Sequence, residues 1–356
     1  MPNAIVNGAR INYLQVCEKQ GGDCEDLVMV HGLAANMAFW YLKYACEFAK
    51  EFRVTVFDVR GHGRSEMTPS GYAPANLAQD MAELLDKLNI DKAHFVAHSF
   101  GGVITMNFAL QHIQRVQSLV LADTHITAAR RVKEGPQEWS YGHKIQEVLD
   151  KHGMGLDTRD PYFGQKLLTR VAEMQLHGVT VPPELFDFIN PMASKTVGRT
   201  AAQWLRLMQS TAAEAEVMGD DGLSIEALRK FTFPIIAMYG DRSPARLTGT
   251  ELLNVWPHAE FRNVRNAGHF FPVTRPDEVI TACRRFWQGD LTEAQRRHRA
   301  GETQRCHFRS DRIFKDTLGW YFTTRELQRV GPFAEIEEAH AVLTRAVLNN
   351  IIEPTG

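Results

Sequence analysis

Ser99 stands where an apolar run, residues 94–97, meets Gly101-Gly102 and a helix-like segment, Val103 to His112. That order reads as strand, sharp turn, helix. Such a turn lifts a hydroxyl onto a strand tip beside a helix N-terminus, the arrangement called a nucleophile elbow. The backbone there is crowded, so small residues are needed two before and two after the serine; here they are Ala97 and Gly101. The same pattern also suits a serine that only caps a helix. A serine becomes nucleophilic when a base can take its proton. His269, in a Gly-His-Phe turn after the last strand-like run, follows the serine and the candidate acids, matching the chain order Ser, acid, His. His98 is expected to point elsewhere, because adjacent residues on a turn diverge. His31, His62, His94 and His125 are weaker candidates. An oxyanion would need fixed backbone donors. Phe100 N–H supplies one, and the loop His31-Gly32-Leu33 supplies a second, from Leu33. The carboxylate that orients the histidine is open between Asp123 and Asp241, since each follows an apolar strand.

These groups need a scaffold that collects strand ends at one edge. Ala4 to Val16 alternates around Asn7-Gly8, a favoured hairpin turn. Strands are expected at Leu27 to Val30, Arg53 to Asp58, the run before Ser99, Val116 to Ala122, Phe233 to Tyr239 and Ala259 to Val264. Helices are expected at Met37 to Phe52, Pro74 to Leu88, after Ser99, Glu251 to Val255 and Pro276 to Trp287. Strand and helix alternate from residue 27 to 123. This predicts an α/β fold with a mostly parallel sheet, right-handed crossovers and ligands at the strand C-terminal ends. The alternation stops between 126 and 230, a helical stretch broken by Gly and Pro, and then resumes. That stretch reads as a lid inserted into a core made of 1–125 and 231–288. A polar linker covers 289–310. A small module at 311–356 follows, with strands at Arg312 to Asp316, Trp320 to Arg325 and Arg329 to Phe333, and a helix from Ile336 to Ile351. It is too small for much core of its own.

The 356 residues carry 40 Lys+Arg against 42 Asp+Glu. This balance argues against binding nucleic acid or a membrane surface through bulk charge. Five scattered cysteines lack zinc-ligand spacing, so free thiols and a cytoplasmic, reducing setting are expected. No apolar run approaches membrane-spanning length, and no signal peptide is read at the N-terminus.

At these residues the chain resembles an α/β-hydrolase-fold serine hydrolase over about 4–288. The resemblance rests on His31-Gly32, Asp58-Val-Arg-Gly-His-Gly-Arg-Ser65, Ala97-His-Ser-Phe-Gly-Gly102 and Gly268-His269. It implies Ser99 and His269 as catalytic residues, the N–H groups of Leu33 and Phe100 as oxyanion donors, and His31, Gly32 and Gly101 as supports of the motifs. The family includes esterases, lipases, thioesterases, C–C bond hydrolases, dehalogenases and some lyases. Dehalogenases use Asp as nucleophile, whereas this chain has Ser99. In the commonest family pattern the acid would stand at Ser243, which carries no charge. Members that place the acid after the preceding strand match Asp123, which is therefore favoured, with Asp241 second.

The function expected is hydrolysis of an ester or thioester of a mainly hydrophobic acyl group through an acyl-Ser99 intermediate. The alternatives are a non-hydrolytic ligand binder and a lyase or acyltransferase on the same scaffold. The apolar content of the lid (Phe163, Leu167, Leu168, Trp204 and Met208 among others) points to an apolar acyl group. No metal or organic cofactor is implied. The partner expected is a small-molecule or carrier-bound acyl substrate. The C-terminal Gly319 to Phe333 stretch is similar to small bacterial modules. It suggests either an interaction or homodimer element or a structural appendage, with the appendage favoured.

Overall fold

The computed structural model describes residues 2–18, 24–131, 139, 141–186, 188–189, 197–288, 313–316, 319–323, 329–335, 338 and 342. The chain divides into two compact units, Met1–Asp277 and Glu278–Gly356.

The first unit is built on eight strands: β1 (Asn3–Val6), β2 (Ala9–Val16), β3 (Asp26–Val30), β4 (Arg53–Phe57), β5 (Ala93–His98), β6 (Val116–Ala122), β7 (Ile235–Gly240) and β8 (Glu260–Val264). They are ordered β1-β2-β4-β3-β5-β6-β7-β8. β1, β2 and β4 run antiparallel, and every pair from β4 across to β8 is parallel. The central strands β3 and β5 are buried at every residue, as a parallel strand covered on both faces must be. Asn7 and Gly8 close the first hairpin with φ of 45° and 73°, the signs a two-residue type I′ turn requires.

The expected helix at 37–52 is interrupted. α1 (Ala38–Trp40) and α2 (Cys46–Phe48) flank a π-helical turn, Tyr41–Ala45. α3 (Pro74–Lys87) and α4 (Phe100–Gln111) follow as crossovers. α4 crosses the end of β3 at Gly101, where a Cβ would meet the carbonyl oxygens of Val30 at 2.5 Å and His31 at 2.6 Å. Both atoms are backbone and cannot step aside. Gly101→Ala is expected to cost about 3 kcal/mol, read as a lower denaturant midpoint, because the helix must retreat from the sheet.

Between β6 and β7 lie α5 (Thr127–Arg131), α6 (Gly142–Lys151), α7 (Phe163–Leu176), α8 (Val197–Ser210), α9 (Ala213–Val217) and α10 (Ile225–Leu228), with no strand among the described residues. This insert is tied to loops at the strand C-terminal edge. Trp139 Nε1 donates to Arg242 O at 2.8 Å, and Gln203 Nε2 donates to the carbonyls of Gly61 and Gly63 at 3.2 and 3.0 Å. Most of its large apolar residues have structural work. Phe163, Leu167, Leu185 and Phe188 form a core with Trp139 and Leu149. Trp204, Leu207 and Met208 join the main core, and Leu168 packs on its edge. The composition of the insert is therefore a weaker guide to its ligand than the sequence suggested.

α11 (Arg246–Val255) and α12 (Phe271–Thr274) complete this part of the chain, and α13 (Pro276–Trp287) runs from its last residues into the second unit. In the second unit β9 (Ile313–Asp316), β10 (Gly319–Thr323) and β11 (Arg329–Phe333) form an antiparallel sheet ordered β11-β10-β9. The register slips between Trp320 and Phe322, opposite Gly331-Pro332 on the edge strand. Proline has no N–H to give the ladder, so an edge bulge is where it fits. The linker and most of the expected terminal helix lie outside the described residues; Glu338 and Val342 are helical.

Candidate active site

Ser99 and Asp123 each stand one residue beyond the end of adjacent parallel strands, β5 and β6. Both have left-handed φ, 55° and 52°. Backbone bonds hold them there: Ser99 N–H donates to Ala122 O at 2.9 Å, and Asp123 N–H to Met238 O at 2.8 Å. An L-residue pays about 1–3 kcal/mol for such a conformation, so the surrounding sheet must enforce it. The result is two side chains raised together on the same sheet edge.

His269 arrives from the loop after β8. Its Nδ1 lies 2.6 Å from Asp123 Oδ2 and its Nε2 3.0 Å from Ser99 Oγ. An ionised carboxylate only accepts hydrogen bonds, so Nδ1 carries the proton and Nε2 offers its lone pair to the serine hydroxyl. Asp123 is fully buried, while Ser99 and His269 stay partly exposed. Two further donors reach the carboxylate: Gly240 N–H to Oδ1 at 2.9 Å, and the Ser243 hydroxyl to Oδ2.

Asp241 is engaged differently. Its oxygens accept the N–H groups of Asn266 at 2.8 Å and Ala267 at 3.0 Å, shaping the loop that delivers His269. His98 proves closer to the site than the sequence suggested. Its ring turns away from the Ser99 hydroxyl, as expected, but onto the His269 loop, where Nε2–H donates to His269 O at 2.9 Å. Phe39 stacks on it with ring centroids 4.7 Å apart. Tyr44, in the π-helical turn, donates its hydroxyl to Pro272 O at 2.6 Å. The histidine loop is thus held at Asn266, Ala267, His269 and Pro272.

Phe100 opens α4, where the first N–H groups of a helix have no acceptor within it. Leu33 follows Gly32, at which a Cβ would lie 2.8 Å from Ser99 Cβ. Glycine there lets the β3 loop approach the serine closely enough to face it. His31 is a structural group. Its Nε2 accepts Val59 N–H at 3.0 Å and its Nδ1 donates to Gly32 O at 2.7 Å, joining the loops after β3 and β4. His94 bonds Ser118, toward the other end of β5, and His125 meets Thr248. The Asp58 to Ser65 motif is also structural: Asp58 accepts the N–H groups of Met37 and Arg64, both at 2.8 Å, and Arg60 pairs with buried Asp80.

Burial, reinforced by neighbouring His31, pushes His62 down to about 4. Burial also lowers His31 and His98. These rings stay neutral when folded but bind protons once unfolded. Their stabilisation is complete above the unfolded value of 6.5 and fades as pH falls toward 4. His62 alone accounts for about 3 kcal/mol of it. The urea midpoint should hold level near pH 7–8 and drop steeply across that acid window; a level midpoint throughout would contradict neutral burial.

A small apolar cavity of about 30 Å³ lies where Ala34, next to Leu33, meets Leu168, Val171, Ala201 and Trp204. A larger one, about 190 Å³, lies within the insert beside Arg170 and Glu173, and none of the site residues lines it. Among the described residues no group of three His, Cys, Asp or Glu is arranged to hold a metal, and no helix is long and apolar enough to cross a membrane.

Residues 27–159, which include Ser99 and Asp123, match the family described as alpha/beta hydrolase fold. Residues 298–348 match a domain of unknown function, DUF6316. The RutD protein of Pantoea ananatis (strain LMG 20103), which carries a provisional carbamate-hydrolase name, is 36% identical over 110 residues, 31% of this chain and 40% of that protein. The chain spans about two fifths of the length of the curated relatives it matches first. The soluble epoxide hydrolase of Corynebacterium sp. (strain C12) is 24% identical over 300 residues, 80% of this chain and 96% of that one. The enol-lactonase from Burkholderia xenovorans LB400 superposes with a TM-score of 0.56 at 21% identity, covering 81% of this chain and 100% of that chain. The sheet order, the strand-end site and the matched segment together give the chain an α/β-hydrolase fold.

Proposed function

We propose that the protein is a serine hydrolase that cleaves an ester or thioester of a mainly hydrophobic acyl group through an acyl-Ser99 intermediate. The observation that carries this reading is the pair of hydrogen bonds from Asp123 through His269 to Ser99, 2.6 and 3.0 Å. Ser99 Oγ attacks the acyl carbon while its proton passes to His269 Nε2. The Leu33 and Phe100 N–H groups receive the charge that develops on the carbonyl oxygen. His269 then protonates the departing alcohol or thiol as its bond to carbon breaks. Water repeats the sequence and frees Ser99. Asp123 keeps the proton on Nδ1 and stabilises the imidazolium.

The chemistry of the nucleophile favours acyl substrates. Serine opening an epoxide would leave an alkyl ether, with no carbonyl carbon for water to attack, and turnover would stop. Esters, lactones, thioesters and carbamates all leave an acyl carbon that hydrolysis can release. Leu168, Val171 and Trp204 of the insert stand beside Ala34, the neighbour of Leu33, and on this reading the insert acts as the lid.

The test is intact-mass analysis after treatment with a fluorophosphonate, on wild type, Ser99→Ala and His269→Ala. One adduct on wild type, absent from Ser99→Ala and slow in His269→Ala, is expected. A panel of acyl esters and thioesters of graded chain length then separates the two bond types, and an added alcohol acceptor separates transfer from hydrolysis. A folded wild type that takes no adduct would overturn the proposal and favour the ligand-binding alternative.

A further inference from the structure

Asp123 is a fully buried carboxylate, and among the described residues no lysine or arginine pairs with it. Its donors are Gly240 N–H, the Ser243 hydroxyl and the His269 ring. Ser243 is itself 1% exposed. Its Oγ accepts Ala245 N–H at 3.2 Å while its own proton goes to Asp123 Oδ2, the oxygen that also faces His269 Nδ1. Ala245 is the N-cap of α11, a helix of 10 residues. A helix N-terminus carries positive potential, and a hydroxyl that accepts a bond from it becomes a stronger donor. A continuous relay therefore runs from helix to hydroxyl to carboxylate to imidazole.

We propose that Ser243 is a positioning residue for the Asp123–His269 pair, relaying the N-terminus of α11 onto the carboxylate oxygen that faces His269. The inference rests on the catalytic reading of that pair. With Gly240 holding Oδ1 and Ser243 holding Oδ2, the carboxylate has one rotamer, and that rotamer sets where the imidazole can bind. The hydroxyl also draws charge from Oδ2. Without it that oxygen binds the His269 proton more tightly, and the pair stays protonated to higher pH.

Ser243→Ala tests this with two readouts. In the first, the low-field proton resonance of His269 Nδ1–H, identified by its loss in His269→Ala, is titrated with pH. Its transition should move up by about one pH unit in Ser243→Ala and return in Ser243→Thr, which keeps a hydroxyl. In the second, kcat falls about tenfold with KM little changed, and the acid limb of kcat/KM moves up in step. Unchanged transitions in both readouts would overturn the proposal, and so would a lower kcat with an unshifted acid limb, which is what simple loosening gives. If the resonance moves but wild type takes no fluorophosphonate adduct, Ser243 keeps its role toward the pair and the hydrolase reading is the one that fails.

Discussion

Asp123→Asn is expected to lower kcat about 10⁴-fold while leaving KM within a few-fold. The size follows from a conflict of hydrogen-bond donors. The asparagine amide must set its NH₂ either at the Oδ1 site or at the Oδ2 site. The Oδ1 site faces Gly240 N–H, a backbone donor that cannot turn away. The NH₂ therefore takes the Oδ2 site, where the Ser243 hydroxyl can rotate to accept. His269 must then accept at Nδ1 and carry its proton on Nε2, facing Ser99. That tautomer has no lone pair for the serine proton, so the base is lost although the ring hardly moves. Asp241→Asn keeps one of its two loop bonds and should cost less than about tenfold in kcat and about 1–2 kcal/mol in stability. Steady-state kinetics and denaturant melts on both variants separate the roles. A mild effect at Asp123 with a collapse at Asp241 would reverse them.

Ser99→Ala should lower kcat by about 10⁵- to 10⁶-fold, leaving only what substrate binding and the oxyanion donors provide. Its stability should match wild type, because alanine meets the same backbone demand at φ 55°, ψ −126°. Ser99→Gly is the informative companion. Glycine adopts that conformation freely, and relief of about 1–3 kcal/mol of strain outweighs its extra freedom when unfolded. The variant should be inactive yet melt about 2 °C above wild type. A lower melting temperature for Ser99→Gly would mean that the elbow stores no strain.

Much of this architecture could be read from residue order. β3, β5 and β6 announce themselves as short apolar runs because parallel strands are covered on both faces. Asn7-Gly8 names its own turn, and Gly101 its crowding. The carboxylate that faces His269 is less legible in residue order. Asp123 and Asp241 both follow strand ends, and what distinguishes them is the backbone of each and a histidine far along the chain. Ser243 carries no charge to mark it in the sequence, yet its hydroxyl donates to Asp123. The divergence of neighbouring side chains on a turn accounts for the His98 ring facing away from the Ser99 hydroxyl. That the His269 backbone passes on its other side depends on a loop 171 residues further along the chain and leaves no local mark. The π-helical turn at 41–45 left no mark, because Trp40, Tyr44 and Phe48 recur at a spacing that an ordinary helix also gives. In the helical insert between β6 and β7, an apolar face that binds a ligand and one that packs a core would carry the same residues.

The span of chain between the reacting groups has a consequence for the protein's birth. Ser99 and His269 are 170 residues apart, and Asp123 and His269 are 146. At ribosomal speeds the serine emerges roughly 10–30 s before the histidine proposed to activate it. Throughout that interval the growing polypeptide carries an ordinary alcohol, so translation products that stop short of His269 are expected to be silent toward a fluorophosphonate. Labelling would therefore count only chains grown past the last strand of the sheet and His269, and the moment it appears in a synchronised translation would time the docking of that strand.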